Sequence, residues 1–310
     1  MITHKKIDST IAFLRSHFIW FLLLLLVPVF IYFKNIISYL NTQVPNMHSK
    51  PYKVIVFDLD ETLGCFIEVS IFWNALEYFY GHNLFNDKFF EVMDTFPEFF
   101  RPNIFNMLDF IHRKKLNKVC NKIIIYTNNQ GTKGWVKMIS DYFDNKLGYK
   151  VFDNIIVAYK VNGRQIEPKR TSHEKSVADL ISCTGIPADS EICFVDDLYH
   201  HLMDKDNVFY IHIKPYYYSM PFNEMAARYY DMVLNKSQQA TVSKDVFVNT
   251  IDTYTKEYNY QVNQKNVLET KTDIIVSKKL LSHLEEFLKP SRLPNTRKKR
   301  SRRKKTLRRL

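Results

Sequence analysis

The stretch KVIVFDLDET, residues 53 to 62, decides the fold class. It opens with a short β-branched run and ends in acidic residues, among them Asp58 and Asp60. A continuous apolar run of this length is typical of a strand buried on both faces in a parallel sheet. Ligands of such sheets bind outside the carboxyl ends of the strands, so the two aspartates are candidate site residues.

Further runs of the same kind follow along the chain. Strong strand patterns lie at 122 to 131 (KIIIYTNNQG) and 191 to 197 (EICFVDD), and weaker ones at 154 to 159 and 208 to 213. Helix-like stretches lie between them at 104 to 114, 134 to 147 and 175 to 183. Alternating strands and helices predict an α/β fold with a doubly wound, Rossmann-like parallel sheet flanked by helices.

The lengths of the segments between these strands limit the size of a cap over the site. Residues 64 to 121 leave space for a small flap, in which Trp73, Phe79 and Phe99 are interpreted as core residues rather than substrate contacts. Residues 130 to 168 have room only for a helix and a strand. We therefore expect no large cap, and an open site that admits a macromolecule better than it encloses a small metabolite.

The positive charge of the chain is concentrated at its C-terminal end. Of 44 Lys and Arg, twelve lie in residues 289 to 310, which contain no acid, so the remainder balances 32 cations against 32 acids. Residues 236 to 290 are predicted as a helical extension and 291 to 310 as a disordered basic tail. Three partners are open for this tail: nucleic acid, anionic lipid or a nuclear import receptor.

A membrane anchor is predicted near the N-terminus. Residues 18 to 33 (FIWFLLLLLVPVFIYF) form a run of sixteen residues without a charge. With Ile36 and Ile37 the apolar reach approaches the length of a membrane span, and Lys34 would extend its charge toward the interface. This run exceeds the apolar core of a cleaved signal peptide and no small-x-small site follows, so we expect an uncleaved transmembrane helix over 18 to 38. A short basic segment, 1 to 17, precedes it, and a linker, 39 to 50, leads to a folded domain over 51 to 235.

The side of the membrane on which this domain lies is not fixed by charge, because Lys and Arg are nearly balanced around the apolar run. The four cysteines fall at unrelated spacings, which favours neither a disulfide framework nor a cysteine zinc site. This indicates a reducing compartment. We expect a single-pass membrane protein whose domain faces the cytosol or the nucleus.

Polar residues end three of the predicted strands at the same edge of the sheet. These are Asp58 and Asp60 after the first strand, Thr127, Asn128 and Asn129 after the second, and Asp196 and Asp197 after the third. For a single strand, a helix cap or a turn is the commoner role of such residues. Three strands together, with a hydroxyl between two acid clusters, predict a site. An oxygen-only set suits Mg²⁺, which can also hold a phosphate.

These motifs resemble a known family. FDLDETL, the hydroxyl-ended strand YTNN, a downstream lysine and CFVDD are similar to the four motifs of the haloacid dehalogenase (HAD) superfamily of phosphatases. DLDETL, the pair Arg101 and Pro102 before a helix, and the VDD ending resemble the branch that contains the RNA polymerase II C-terminal-domain phosphatases and the NLI-interacting-factor-like proteins. The resemblance covers roughly residues 50 to 232. An N-terminal anchor before such a domain resembles the nuclear-envelope phosphatases of that branch.

The resemblance implies roles for individual residues. Asp58 would be the nucleophile that forms an aspartyl phosphate, and Asp60 the general acid and base. Thr127, with Asn128 beside it, would bind the phosphoryl oxygens. The implied Mg²⁺ ligands are Asp58, Asp60 and Asp197, with Asp196 as a further or alternative ligand.

The family also requires a lysine that neutralises the phosphate, and two lysines compete for this role. Lys175 lies 22 residues before Asp197, closer to the usual spacing than the 28 residues of Lys169. We expect Lys175 to be the catalytic lysine and keep Lys169 as a substrate-binding candidate. His200 and His201 follow the acid pair and are interpreted as solvated loop residues.

The sequence thus predicts a Mg²⁺-dependent phosphoric monoester hydrolase, with a phosphoserine or phosphothreonine protein as its substrate. One alternative is a nucleic-acid 3′-phosphatase, because TNNQG (127 to 131) also resembles the second motif of polynucleotide phosphatases. The other is a non-catalytic membrane-bound adaptor of the same fold. The complete set of acids, Asp58, Asp60 and Asp197, argues against an adaptor.

Overall fold

A parallel sheet forms the centre of this computed structural model, which describes residue 34, residues 51 to 289 apart from 82, 83, 85, 132, 239 and 264, and the strand at 307 to 309. Five strands lie side by side in the order β3, β2, β1, β6, β7. Their bounds are β1 Lys53–Phe57, β2 Lys122–Tyr126, β3 Asn154–Ile156, β6 Glu191–Asp196 and β7 Val208–His212. All neighbouring pairs are parallel. The predicted α/β fold with a parallel, Rossmann-like sheet flanked by helices is confirmed.

The register of the central strands brings their ends together. Phe57 lies opposite Ile125 of β2 and opposite Val195 of β6. The strand order reverses between β1 and β6, which is where open α/β sheets bind their ligands. The polar residues that follow these three strands therefore lie side by side.

Eight α-helices are described along the chain: α1 Ile67–Tyr80, α2 Asn86–Thr95, α3 Ile104–Leu116, α4 Lys133–Leu147, α5 Val177–Thr184, α6 Phe222–Tyr229, α7 Lys244–Lys256 and α8 Val267–Leu288. Successive strand residues point to opposite faces of the sheet. On one face, Val54, Ile124 and Phe194 form a core with Leu180 of α5. The opposite face builds a larger core with the other helices.

The segment 64 to 121, expected to contain a small flap, folds into α1, α2 and α3. Trp73 and Phe99 are buried in the larger core, and Phe79 packs against it while partly exposed. A two-stranded hairpin, β4 Lys160–Val161 and β5 Arg164–Gln165, is the small element outside the main sheet.

The predicted C-terminal extension packs on the same core as the rest of the domain. Phe247 and Ile251 of α7, and Leu280 and Leu284 of α8, belong to the larger hydrophobic cluster. At the C-terminal end of α8, Lys53 Nζ donates to the carbonyl oxygens of Phe287 (2.6 Å) and Lys289 (3.2 Å). Because Lys53 is the first residue of β1, the start of the sheet and the end of α8 are joined.

The final described element is β8, Leu307–Arg309, which pairs in parallel with β7. The tail over 291 to 310, expected to be disordered, thus contributes a short strand, because an open sheet edge offers unpaired backbone groups. The predicted segments 1 to 17, 18 to 38 and 39 to 50 lie outside the described residues, Lys34 excepted. Among the helices that are described, none combines the length and apolar character needed to cross a membrane.

Candidate active site

Two buried carboxylates share one buried lysine at the edge where β1 and β6 end. Lys175 Nζ donates to Asp58 Oδ1 and, at 2.7 Å, to Asp196 Oδ2. Lys175 and Asp196 are each about 1% exposed and Asp58 is 7% exposed. Charges this far from solvent are costly unless they are paired, so the lysine and the two acids form one unit.

A third carboxylate, Asp197, completes the cluster. Its Oδ1 accepts a hydrogen bond of 3.1 Å from Thr62 Oγ1, in the loop after β1. Asp58, Asp196 and Asp197 each present an oxygen, and these atoms all lie within 4.8 Å of one another. The amide of Leu198 also donates to Asp196 Oδ1 at 2.8 Å, which fixes that side chain.

Burial dominates the electrostatics of this cluster. It raises the pKa of Asp58 to about 6, with Lys175 opposing and Asp196 adding to the shift. Burial, and then Asp58, raise the pKa of Asp197 to about 6. Burial lowers the pKa of Lys175, but Asp196 and Asp58 outweigh it, so this pKa is raised and the lysine stays charged. Three carboxylates face one ammonium group, an imbalance that a divalent cation would relieve.

Asp60 lies outside this cluster and has a different partner. Asn129 Nδ2 donates to Asp60 Oδ2 at 2.7 Å, whereas Asp60 Oδ1 is buried without a hydrogen-bond partner among the described residues. Burial raises the pKa of Asp60 to about 6, with Asn129 opposing and Asp58 adding to the shift. A carboxyl group with such a pKa can both give and take a proton near neutral pH.

The loop after β2 contributes hydrogen-bonding groups. Thr127 is buried, its amide donates to the Ile156 carbonyl at 2.9 Å, and its Oγ1 accepts from the Asn129 amide at 2.9 Å. Asn128 Oδ1 is buried without a hydrogen-bond partner among the described residues. This loop therefore presents a hydroxyl group, and a side-chain amide oxygen that lacks a described partner, close to Asn129, the residue that binds Asp60.

The structure distinguishes between the two candidate lysines. Lys175 contacts Asp58, whereas Lys169 is exposed and forms no ion pair with any described carboxylate. Lys175 directly precedes Ser176, the N-cap of α5, whose Oγ accepts from the Asp179 amide. The capped start of this helix therefore fixes the backbone position of Lys175 beside the site.

The sequence interpretation of His200 was wrong. His200 is 6% exposed, with its ring nitrogens 3.5 Å from Asp196 and from Glu174, and burial and then Lys175 lower its pKa to about 4. His201 is exposed as expected. No local signal in the sequence separates the two histidines, since only the turn after β6 decides which of them faces inward.

An open cleft of about 910 Å³ adjoins the site. It lies between α1, α4 and the β4–β5 hairpin, and its walls include Trp73, Trp135, Ile166 and, next to Asp60, Asn129. Glu77 is the only charged residue among the described lining residues. The cleft therefore offers mainly apolar surface beside the carboxylates.

No family model, curated protein or solved structure matches this chain.

Proposed function

We propose that this protein is a Mg²⁺-dependent phosphatase of the HAD type, a phosphoric monoester hydrolase that acts through an aspartyl phosphate. The observation that carries the proposal is the buried unit of Asp58, Lys175 and Asp196 at the carboxyl edge of the sheet, with Asp60 two residues after Asp58. Lys175 serves as the catalytic lysine in this proposal, because it contacts Asp58 and Asp196, whereas Lys169 is exposed and forms no ion pair with a described carboxylate.

The residues present fit a Mg²⁺ ion. Asp58, Asp196 and Asp197 supply only oxygen atoms, close together, and Lys175 balances one of their three charges. These three acids would hold the ion. When bound, it would neutralise phosphate charge so that an anionic nucleophile can approach. Asp60 is also expected to be a ligand, through its carbonyl, while its carboxylate accepts the hydrogen bond from Asn129.

In the first step, a carboxylate oxygen of Asp58 attacks the phosphorus atom and the bond to the leaving oxygen breaks. Asp60, protonated, gives its proton to that leaving oxygen, so the product departs as an alcohol. Lys175 and Thr127 stabilise the negative charge on the phosphoryl group, with Asn128 as a further donor. The product of this step is an aspartyl phosphate on Asp58.

In the second step, Asp60, now ionised, takes a proton from a water molecule, which attacks the phosphorus atom. The bond to Asp58 breaks, inorganic phosphate leaves, and Asp60 is protonated again. A pKa near neutrality suits this double role, and the hydrogen bond from Asn129 orients the carboxyl group.

A phosphoserine or phosphothreonine protein is the substrate that the cleft favours. Its walls are largely apolar, Glu77 is the only charge among its described lining residues, and it opens beside Asn129. A nucleic-acid strand would need cations along such a surface, whereas an uncharged peptide segment would not. Preference for a 3′-phosphorylated oligonucleotide over a phosphopeptide would favour the alternative phosphatase.

The same proposal places the enzyme in the branch of the RNA polymerase II C-terminal-domain phosphatases, tethered to a membrane by residues 18 to 38. The charge-free apolar run over residues 18 to 33 supports the tether. The domain would face the cytosol or nucleus, and the basic tail would contact nucleic acid, anionic lipid or an import receptor. Sedimentation of the protein with vesicles, with and without residues 18 to 38, tests the tether.

Phosphate release from p-nitrophenyl phosphate tests the activity. The full chain in detergent should turn over with Mg²⁺ and stop when EDTA removes the metal, and Asp58→Asn should be inactive. Asp189→Asn is a matched control, because Asp189 is an exposed acid before β6, at the other end of the strand. A folded protein without turnover on this substrate or on a phosphopeptide would favour the adaptor.

A further inference from the structure

The two largest fully buried side chains of the described protein are both arginines, Arg101 and Arg170. Neither forms an ion pair with a described carboxylate within 4.0 Å. A buried charge without a paired acid is costly, and an apolar side chain of similar volume would be cheaper. The partners of these two guanidinium groups are instead backbone carbonyl oxygens.

Arg101 holds the loop that follows β1. Its Nε donates to the Thr62 carbonyl at 2.5 Å and its Nη2 to the Glu61 carbonyl at 2.5 Å. The same Nη2 reaches the Lys214 carbonyl at 2.9 Å, in the segment after β7. Because Thr62 Oγ1 binds Asp197, this guanidinium supports a residue that touches the acid cluster.

Arg170 likewise donates hydrogen bonds to backbone carbonyls, around the loop that follows β2. Its Nη1 donates to the carbonyls of Thr127 (3.1 Å) and Val157 (2.9 Å), and its Nη2 to that of His173 (3.1 Å). The guanidinium carbon lies 4.9 Å from the centre of the Tyr126 ring. One side chain thus joins the ends of β2 and β3 to the segment that leads into Lys175.

These contacts also set the direction of backbone amides. The described peptide bonds contain no cis bond, and in a planar trans peptide the N–H points opposite to the C=O. With the Thr127 carbonyl turned toward Arg170, the Asn128 N–H points away from Arg170. The Thr62 N–H points away from Arg101 in the same manner, because the Glu61 carbonyl is held.

We propose that Arg101 and Arg170 are positioning residues for the hydrolysis described above, on which this inference rests. Through backbone carbonyls, Arg101 fixes the loop that carries Asp60 and Thr62, and Arg170 fixes Thr127 relative to Lys175. Neither guanidinium touches a described carboxylate of the site. A planar guanidinium can donate to several carbonyls in fixed directions, which a lysine ammonium cannot reproduce.

Four variants test this: Arg101→Lys, Arg101→Met, Arg170→Lys and Arg170→Met, in the full chain with Mg²⁺ and p-nitrophenyl phosphate. We expect kcat to fall about 100-fold and KM to change less than about threefold, since misplaced groups cost transition-state stabilisation more than binding. The lysine variants keep the charge and should lose nearly as much kcat. If the methionine variants do not fold, the kcat of the lysine variants still tests the inference.

Lys53→Met is the matched control, because Lys53 is also a buried cation that donates to carbonyls, but at the opposite end of β1. It should lower the melting temperature while kcat stays unchanged. If the arginine variants lose no more kcat than Lys53→Met at a similar loss of stability, the two arginines are structural only and the inference fails.

Amide hydrogen exchange gives a readout that does not need turnover. The Leu63 amide is hydrogen-bonded within its loop, to the Leu59 carbonyl, and the Thr127 amide is hydrogen-bonded to the Ile156 carbonyl at the end of β3. Their protection should fall at least about tenfold in the Arg101 and Arg170 variants respectively, and not in Lys53→Met. If the wild-type protein shows no Mg²⁺-dependent turnover, the proposed function fails, and with it the catalytic role of the two arginines. If exchange is unchanged in the arginine variants, the claim that the arginines position these loops fails.

Discussion

Asp58 and Asp60 have similar raised pKa values but different neighbours, and the neighbours separate their proposed roles. Asp58 faces the ammonium group of Lys175, which favours its ionised form, as a nucleophile requires. Asp60 faces a neutral amide, Asn129, and keeps one oxygen without a described partner. Two carboxylates separated by one residue can therefore act as a nucleophile and as a general acid.

The leaving group should reveal the role of Asp60. We expect Asp60→Asn to lower kcat on a phosphoserine peptide by about 10²- to 10⁴-fold, because an alkoxide leaves poorly without a proton. The loss on p-nitrophenyl phosphate should be much smaller, since the nitrophenolate is stable without one. Steady-state kinetics on both substrates checks this, and equal losses would contradict general acid catalysis by Asp60.

The pH dependence of kcat/KM on a phosphoserine peptide should be bell-shaped, with a maximum near pH 6. Below about pH 6 the nucleophile Asp58 becomes protonated, and above about pH 6 the acid Asp60 loses its proton. Raising Mg²⁺ should move the acidic limb to lower pH and leave the alkaline limb in place, because only Asp58 belongs to the cluster of three acids. A shift of both limbs would contradict this assignment.

Lys175 should matter for stability as well as for activity. In Lys175→Met, Asp58 and Asp196 lose their shared cation, and breaking a buried pair in this way costs about 3–5 kcal/mol. The loss should shrink at pH 5, where the acids can protonate, and shrink with added Mg²⁺. Denaturant unfolding at both pH values, with Mg²⁺ or EDTA, measures it. Lys169→Met, at an exposed position, is the control and should change stability by less than about 0.5 kcal/mol.

At the scale of elements, the central strands could be predicted because each is a short β-branched run buried on both faces. The helices predicted at 104 to 114 and 134 to 147 correspond to Ile104–Leu116 and Lys133–Leu147. The segment before them was harder, because α1 and α2 are rich in aromatic residues whose packing depends on distant partners such as Trp135. The β4–β5 hairpin had a usable signal: Asn162 and Gly163 form its turn, both with positive φ.

The C-terminal helix α8 should behave as part of the domain core. Leu284 of α8 is fully buried, and Leu284→Ala should cost about 2–5 kcal/mol through lost burial and a cavity. Ile275→Ala on the same helix, at a side chain 54% exposed, should change stability by less than about 0.5 kcal/mol. Denaturant unfolding followed by circular dichroism compares the two. A Leu284→Ala variant as stable as Ile275→Ala would show that α8 contributes little to the fold.

For the whole molecule, the sequence could predict which polar residues lie together, but not the residues that hold their loops in place. Asp58, Thr127 and Asp197 follow strands, and parallel strands bring their ends to one edge, so the sequence pattern suffices to place them together. Arg101 and Arg170 act on backbone carbonyls, and any residue type has a carbonyl. Their partners are therefore set by the tertiary fold and leave no pattern in the sequence.

The hydrogen bonds of Lys53 to Phe287 and Lys289 determine which face of the domain a linker, a label or a solid support can be joined to. The chain enters β1 and leaves α8 at neighbouring points, while Asp58 lies at the far end of β1. Since β1 has five residues, Asp58 lies about 17 Å from Lys53 along the strand. A linker or label joined through residue 51 or residue 289 would start from the edge that is remote from Asp58. A copy immobilised at either point would hold Asp58 on the side away from the supporting surface, and would discriminate against phosphates that lie on that surface.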